Sequence, residues 1–257
     1  MNSPIIVGLS GNAGVGKTIT ARGMAKQGVV GIEESAGIIW DHSFFALPIY
    51  EFASIRRDIE GGDRIQRQLY ETMKTLLKMF PSPIYGAPDF EVLVQLTNDI
   101  VNAPIKLNSD DKPREFLQMV GDICREQKAS VFADYIERLF KSRGVELLNE
   151  YPDYEYIMLV SDLRYPNEAE MVMKQERGLV IKLEASDEVR RERLMKRDGK
   201  PMTEEQSAHS SEQFVNITPF DIALDTNDLS VEDQILDVRN IILSHFNLKS
   251  GSIAYAN

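Results

Sequence analysis

The chain has 257 residues, 43% of them hydrophobic, and its 40 acidic and 29 basic residues give a formal net charge of -11 at pH 7. This acidic balance argues against duplex nucleic acid as the main partner, although a few arginines converging on one pocket can still hold a small phosphorylated substrate. A single cysteine, Cys124, excludes an intrachain disulfide, and the lack of both a signal peptide and an apolar run of about 18 residues predicts a soluble, cytoplasmic protein without membrane contact.

The chain opens with an apolar strand that leads into a glycine-rich motif. The run PIIVGLSG predicts a strand, and TITARGMAKQG predicts a helix that ends near Gly28. Between them, residues 11–18 read GNAGVGKT and match G-x-x-x-x-G-K-[ST] in the strand-loop-helix context that this phosphate-binding motif requires. We therefore predict a nucleoside triphosphate site rather than a glycine-rich turn with an accidental GKT.

Each residue type in the motif has a physical role in holding phosphate. Glycines let the backbone N–H groups fold around the β-phosphate, and the following helix turns its positive end toward the same charge. Lys17 is expected to reach the β- and γ-phosphates, and the Thr18 hydroxyl to ligate magnesium. The predicted cofactors are ATP and Mg²⁺, and the predicted cofactor-binding residues are Gly11, Asn12, Ala13, Gly14, Val15, Gly16, Lys17 and Thr18.

The following part of the chain predicts mostly helix. VVGIEES indicates a second strand, whereas WDHSFFALPIYEFASIRRDI reads as a loop leading into a helix entered through Pro48. RIQRQLYETMKTLLKMF, residues 89–102 and residues 114–144 indicate further helices. We therefore predict a helical insertion at about 45–145 within a single domain of residues 1–257.

The run YEYIMLVSDLRYP predicts a buried strand that ends in Asp162 and Arg164. Open parallel sheets bind ligands at the carboxyl ends of their strands, so both side chains are candidates for catalysis. Asp162 could assist magnesium, accept a proton from the acceptor or bind a sugar hydroxyl, and the sequence leaves these roles open. The alternative is a structural salt bridge between the two residues.

The last third of the chain continues the alternation of strands and helices. GLVIKLEA and DIALDTNDL predict strands, and SVEDQILDVRNIILSHF predicts a closing helix with Ser230 as its N-cap. This alternation predicts an α/β fold with a parallel sheet flanked by helices. The turn after the last strand reads TNDL where a GTPase would carry N-K-x-D, so no guanine-reading element is evident.

Residues 187–215 form a charged segment that we predict to be a lid. Arg190, Arg193 and Arg197 share one helical face that could clamp phosphates, with Arg193 the candidate for catalysis and the other two for ATP binding. The alternative is a solvated face balanced by Glu188 and Glu192.

Taken in order, the motifs GNAGVGKT, ALPIYEFA, REFLQMVGD, SDLRYPNEAE, HSSE and TNDLSVEDQI resemble the deoxynucleoside monophosphate kinases of tailed bacteriophages over nearly the whole chain. The resemblance implies a P-loop NTPase fold with a helical acceptor-binding region and a lid. It also implies transfer of the γ-phosphoryl group of ATP to a deoxynucleoside monophosphate, in the cytoplasm of the infected host if the protein is phage-encoded.

The resemblance extends to the acceptor side residue by residue. SDLRYPNE resembles the segment that faces the sugar and base of the acceptor, and HSSE contains His209, whose role the sequence leaves open. Tyr50 stands where the family often has a lysine, and the phosphate loop lacks the basic residues of some relatives. The substrate-binding residues implied are Pro48, Ile49, Arg114, Gln118, Gly121, Asp122, Asp162, Arg164 and Glu168.

Other interpretations remain at this stage. VRRERLMKRDGKPMTEEQ resembles the lid of dephospho-coenzyme A kinase, which makes that small-molecule kinase an alternative. A kinase of a modified base in phage DNA would share the loop, and a nucleotide-dependent switch that binds a partner protein is a non-enzymatic alternative. The sequence also leaves open whether the active unit is a homodimer.

Overall fold

We describe residues 3–26, 30–57, 63–81, 89–103, 114–199 and 210–249 of a computed structural model of the chain. Within these ranges, no helix is long and apolar enough to cross a membrane. The chain divides into two compact units, one made of Met1–Phe44 with Glu137–Asn257 and the other of Phe45–Ile136.

The first unit is built on a six-stranded sheet with the order β2-β3-β4-β1-β5-β6. Its strands are β1 (Ile5–Ser10), β2 (Val30–Glu33), β3 (Ile38–Ser43), β4 (Glu155–Leu163), β5 (Gly178–Glu184) and β6 (Ile222–Asp225). Neighbouring strands run parallel except β2 and β3, which are antiparallel. The chain is therefore an α/β protein with a mostly parallel sheet.

Helices cover both faces of this sheet. Those of the first unit are α1 (Lys17–Met24), α7 (Pro166–Met173), α8 (Asp187–Asp198), the short α9 (Ser210–Gln213) with a 3-10 turn at Phe214–Asn216, and α10 (Val231–His245). Val7 and Leu9 of β1 belong to a buried cluster with residues of α1 and α10. Side chains alternate along a strand, so Gly8 faces the other way, where a Cβ would lie 3.5 Å from Val172 of α7.

The second unit is helical where it is described. It contains α2 (Leu47–Arg57), α3 (Asp63–Met79), α4 (Phe90–Val101), α5 (Arg114–Gln127) and the start of α6 (Val131–Glu150), which continues into the first unit. The guanidinium of Arg56 donates hydrogen bonds to the carbonyl oxygens of Val101 and Ala103. These bonds satisfy carbonyls at the end of α4 that no helical N–H can reach.

Most predicted elements of the sheet are confirmed, but two predictions were wrong. The segment that begins WDHS was predicted to be a loop, whereas its first four residues belong to β3, which is buried along its whole length. The sheet is also not wholly parallel, because β2 and β3 are joined by a short turn at residues 34–37, and so short a connection permits only antiparallel pairing.

The polar residues of β3 explain why its sequence does not resemble a buried strand. Asp41 is fully buried, and its Oδ2 accepts a hydrogen bond from Tyr156 Oη at 2.6 Å and forms an ion pair with Arg143 Nε at 2.9 Å. Burial raises the pKa of Asp41, while Tyr156 and Arg143 oppose that rise. Both partners lie more than 100 residues away in the chain, so no local pattern reveals that Asp41 can be buried.

A second buried ion pair offers a test of the fold. Arg239 of α10 donates to Glu33 of β2 at 2.6 and 3.3 Å, and the indole N–H of Trp40 donates to the same carboxylate at 3.0 Å. Replacing Arg239 with Met should lower the free energy of unfolding by about 3 kcal/mol, because it leaves a half-buried carboxylate without its cation. Urea denaturation measures this loss.

Two controls isolate the charge effect. The double variant Arg239→Met/Glu33→Gln should recover about 1 kcal/mol, since no unpaired charge remains. Lys174→Met removes a solvent-exposed ion pair with Glu170 and should change stability by less than about 0.5 kcal/mol. Equal losses in the Arg239 single and double variants would show that lost packing, and not the carboxylate, dominates.

Candidate functional site

The glycine-rich loop, residues 11–18, connects β1 to α1 in a conformation that requires its glycines. Gly11, Gly14 and Gly16 have φ angles of 133°, 91° and 98°, in the region that L-residues with a side chain rarely adopt. A Cβ on Gly14 would also lie 2.8 Å from the backbone oxygen of Arg190. The loop therefore packs closely against α8. Its glycines carry no side chain that could cover the backbone N–H groups of the loop.

Helix α10 holds the loop from the other side. The amide of Gln234 donates to the carbonyl oxygen of Val15 at 3.1 Å and to Thr20 Oγ1 at 2.7 Å. Thr20 in turn donates to the carbonyl oxygen of Gly16 at 3.0 Å. Both side chains are buried, so they fix the loop and the first turn of α1 as one unit. No role was predicted for Gln234, because its partners lie more than 200 residues away.

Lys17 is buried and its ammonium group folds back over the loop. It donates to the carbonyl oxygens of Gly11 and Asn12, the latter at 3.0 Å. Thr18 follows in the first turn of α1 and is exposed. No side chain caps α1, so the N–H groups of its first turn and their partial positive charge point toward the loop. This arrangement of donors suits an anion.

An unexpected carboxylate also contacts the loop. Glu212 accepts a hydrogen bond from the backbone N–H of Ala13 at 3.0 Å and forms an ion pair with Arg164. Burial alone would raise the pKa of Glu212, but Arg164, Lys17 and the Ala13 N–H outweigh burial and lower it to about 2. The group is therefore an anion at neutral pH. Glu212 is the last residue of HSSE, and no role was predicted for it.

Arg164 is fixed through its backbone as well as its guanidinium. Glu168 is buried and accepts the N–H groups of Arg164 at 2.9 Å and Tyr165 at 3.1 Å, while the hydroxyl of Thr218 donates to the carbonyl oxygen of Arg164 at 2.9 Å. Glu168 thus holds the backbone of Arg164, and its predicted contact with the acceptor stays a prediction. Asp162 lies half-buried near the end of β4.

The predicted lid arginines differ in their surroundings. Arg193 donates to the hydroxyl oxygen of Thr226 at 3.1 Å and to its carbonyl oxygen at 2.6 Å, which ties α8 to the turn after β6. Arg197 pairs with Asp198 at 2.6 Å, and Arg190 pairs with Asp187 at 2.9 Å. Of the three, the backbone of Arg190 packs against the glycine-rich loop.

The remaining predicted site residues lie in the second unit or outside the described residues. Pro48 and Ile49 are buried on α2, and a Cβ on Gly121 of α5 would lie 3.4 Å from Ile49 Cδ1, so Gly121 lies beside Ile49. Gln118 and Asp122 are half-buried on α5. Arg114 begins α5, but its side chain lies outside the described residues, as does the whole of His209.

Polar side chains also line the carboxyl ends of β1, β3 and β4. His42 Nε2 lies 2.8 Å from Ser161 Oγ, and burial, helped by the nearby charge of Arg22, lowers the pKa of His42 to about 4. The hydroxyls of Ser10 and Ser43 are buried without a hydrogen-bond partner among the described residues. Those residues also contain no group of three or more His, Cys, Asp or Glu side chains that could hold a metal ion.

The buried imidazole predicts a pH dependence of stability. The pKa of His42 is about 4 in the folded protein, below the ordinary histidine value of 6.5, so the unfolded chain binds its proton more tightly. Stability should fall as the pH drops from 6.5 to 4, by at most about 3 kcal/mol from this group. His42→Gln should remove that part of the loss, which urea denaturation across this range would detect.

The matched control is His245→Gln, which replaces an exposed imidazole on α10 and should retain the acid loss of the parent protein. The carboxylate of Glu212 acts in a different window, because its stabilisation is lost as the pH falls from 4.5 toward 2. An unchanged profile in His42→Gln would contradict a neutral buried imidazole.

Comparison with known proteins gives little beyond this geometry. No protein-family model matches the chain, and no curated protein matches it. Among solved structures, the chain is similar to the crystal structure of TT1252 from Thermus thermophilus, at 17% sequence identity and a TM-score of 0.45, with 95% of this chain and 98% of that chain covered. A similarity this weak does not support the assignment of a family or a function.

Proposed function

We propose that the chain is a P-loop phosphotransferase that moves the γ-phosphoryl group of ATP to a deoxynucleoside monophosphate. The observation that carries the proposal is the glycine-rich loop: three glycines at positive φ, a lysine folded over the loop and an uncapped helix start, all directly after a central strand of the sheet. Loops of this kind bind phosphate through backbone N–H groups and the helix dipole.

The residues present fit a nucleoside triphosphate with magnesium. Lys17 can exchange its two carbonyl partners for β- and γ-phosphate oxygens, since its ammonium already lies over the loop. Magnesium is bound in proteins by a few oxygen ligands together with substrate phosphates and waters, so Thr18, with Asp162 at the end of β4, is a sufficient protein contribution. The ion would neutralise the charge that develops between the β- and γ-phosphates.

On the acceptor side, Arg164 is the residue placed to meet a second phosphate. Its backbone is held by Glu168 and Thr218, so its guanidinium starts from a fixed point beside the loop. Arginine suits this task because it binds phosphate oxygens through two parallel hydrogen bonds. Pro48, Ile49, Gln118, Gly121 and Asp122 of the second unit remain the proposed contacts to the rest of the acceptor.

The reaction is an in-line displacement. An oxygen of the acceptor's α-phosphate forms a bond to the γ-phosphorus, and the bond from that phosphorus to the bridging oxygen breaks, so that ADP leaves. An acceptor phosphate has a second pKa of about 6 and is largely ionised at neutral pH, so no strong general base is needed. Lys17 and Arg164 then act by stabilising negative charge and aligning the two phosphates.

Replacing Lys17 with Ala should lower the rate of phosphoryl transfer by about 100-fold or more, because a charge aimed at the transferred group is lost. A coupled ADP-release assay with ATP and magnesium measures this rate against each deoxynucleoside and ribonucleoside monophosphate. The control Lys141→Ala removes an exposed lysine paired with Glu137 and should keep full activity. Full activity in Lys17→Ala would contradict the proposal that residues 11–18 bind the phosphates of ATP.

The same assay separates the alternatives. Turnover with dephospho-coenzyme A alone would favour that kinase activity. Activity only on DNA that contains a hydroxymethylated base would favour a DNA kinase. Slow ATP hydrolysis without transfer to any acceptor would favour a nucleotide-dependent switch.

The contacts of Arg193 predict a structural role that can be measured separately from its proposed role in phosphoryl transfer. Arg193→Ala should lower the free energy of unfolding by about 2 kcal/mol, because two charge-assisted hydrogen bonds to Thr226 are lost. Arg191→Ala changes an exposed arginine on the same helix and should leave stability within about 0.5 kcal/mol of the parent. If Arg193→Ala keeps its stability and loses transfer, the guanidinium contacts phosphate in the working enzyme and not Thr226.

A further inference from the structure

The strongest feature that the proposed function does not use is the carboxylate of Glu212. It is 8% exposed and lies against the loop that we propose binds phosphate. A buried anion is unusual at such a place, because a carboxylate and a phosphate repel each other where water is excluded. The negative charge of Glu212 therefore depends on the partners that stabilise it.

Those partners are the kinds of donor that proteins use to bind phosphate. Glu212 takes a backbone N–H from Ala13 and the guanidinium of Arg164, and the ammonium of Lys17 lies near enough to stabilise its charge. Backbone N–H groups, arginine and lysine are together the usual set of phosphate ligands. The carboxylate of Glu212 thus occupies donors that a phosphate group would use.

The segment around Glu212 can let the carboxylate leave without unfolding. Val215 is fully buried, the ring of Phe214 lies 5.3 Å from that of Tyr165, and Thr218 bonds to the Arg164 carbonyl. These contacts hold residues 214–218 in place whatever Glu212 binds. The carboxylate of Glu212 takes no part in these contacts, so they can persist when it leaves Ala13 and Arg164.

We propose that Glu212 is an internal competitor of phosphate: nucleotide phosphates displace its carboxylate from the glycine-rich loop, and this displacement breaks the ion pair between Glu212 and Arg164. The inference rests on the proposed function in placing phosphate at residues 11–18, and its coupling to the acceptor rests on the proposed role of Arg164. It adds regulation of that site, because Arg164 becomes available to an acceptor phosphate after the triphosphate has bound. Donor and acceptor binding are thereby coupled through one side chain.

The test is the affinity for inorganic tripolyphosphate, measured by calorimetry without an acceptor. Glu212→Gln keeps the size of the side chain and an oxygen that can accept the Ala13 N–H, but removes the negative charge. It should bind tripolyphosphate about tenfold more tightly than the parent protein. The matched control is Glu155→Gln, which neutralises an ion-paired carboxylate 2.7 Å from Arg177 at the amino end of β4 and should leave the affinity unchanged.

Unchanged or weaker binding by Glu212→Gln would overturn the inference, since the carboxylate would then support the phosphate-binding form of the loop. No detectable binding by either protein would overturn it as well. Tighter binding together with an absence of transfer to every acceptor would support the inference and reject the kinase assignment, so the two can fail separately.

A second measurement uses the parent protein, so its result does not depend on whether a variant folds. Saturating tripolyphosphate should shift the carboxylate ¹³C resonance of Glu212 toward that of a solvated carboxylate, because the ion pair with Arg164 is broken. A Glu212 resonance that stays in place at saturation would show that the carboxylate remains bound, and the inference would be wrong.

Discussion

The site depends on the close approach of the loop after β1 to its neighbours. β1 lies between β4 and β5 in the sheet, so the chain must turn directly from a buried strand into α1. A Cβ on Gly11 would lie 2.3 Å from the backbone oxygen of Leu183, and one on Gly16 would lie 2.5 Å from Gln234 Nε2. Only glycine fits both the space and the backbone angles, and this constraint aims the N–H groups of the loop and the start of α1 at one point.

Much of this arrangement could be predicted from the sequence because its signals are local. The strands β1, β4 and β5 are apolar runs, and the glycine spacing of residues 11–18 is specific in its strand-loop-helix context. Ser230 caps α10 through a hydrogen bond three residues away, as its position before acidic residues predicts.

The parts that could not be predicted depend on contacts between distant residues. The last four residues of β3 are predicted to be a loop because Asp41 and His42 look exposed in the sequence, and only the fold brings Tyr156, Arg143 and Ser161 beside them. Gln234 reaches Val15 across 219 residues, and Glu212 reaches Ala13 across 199. Helical spacing could place the arginines of α8 on one face but could not show that Arg193 binds Thr226.

The cations of the candidate site are balanced by partners within the protein. The protein carries a net charge of -11, and its candidate phosphate-binding cations already have partners: Arg164, Arg190 and Arg197 each contact a carboxylate, and Lys17 contacts two carbonyl oxygens. The phosphate binding that we propose would therefore be an exchange of partners, in which each cation gains only the difference between its new and old contacts. Selectivity in such a site comes from ligands that replace several internal partners at once. A triphosphate offers more oxygen atoms for this exchange than a single phosphate does.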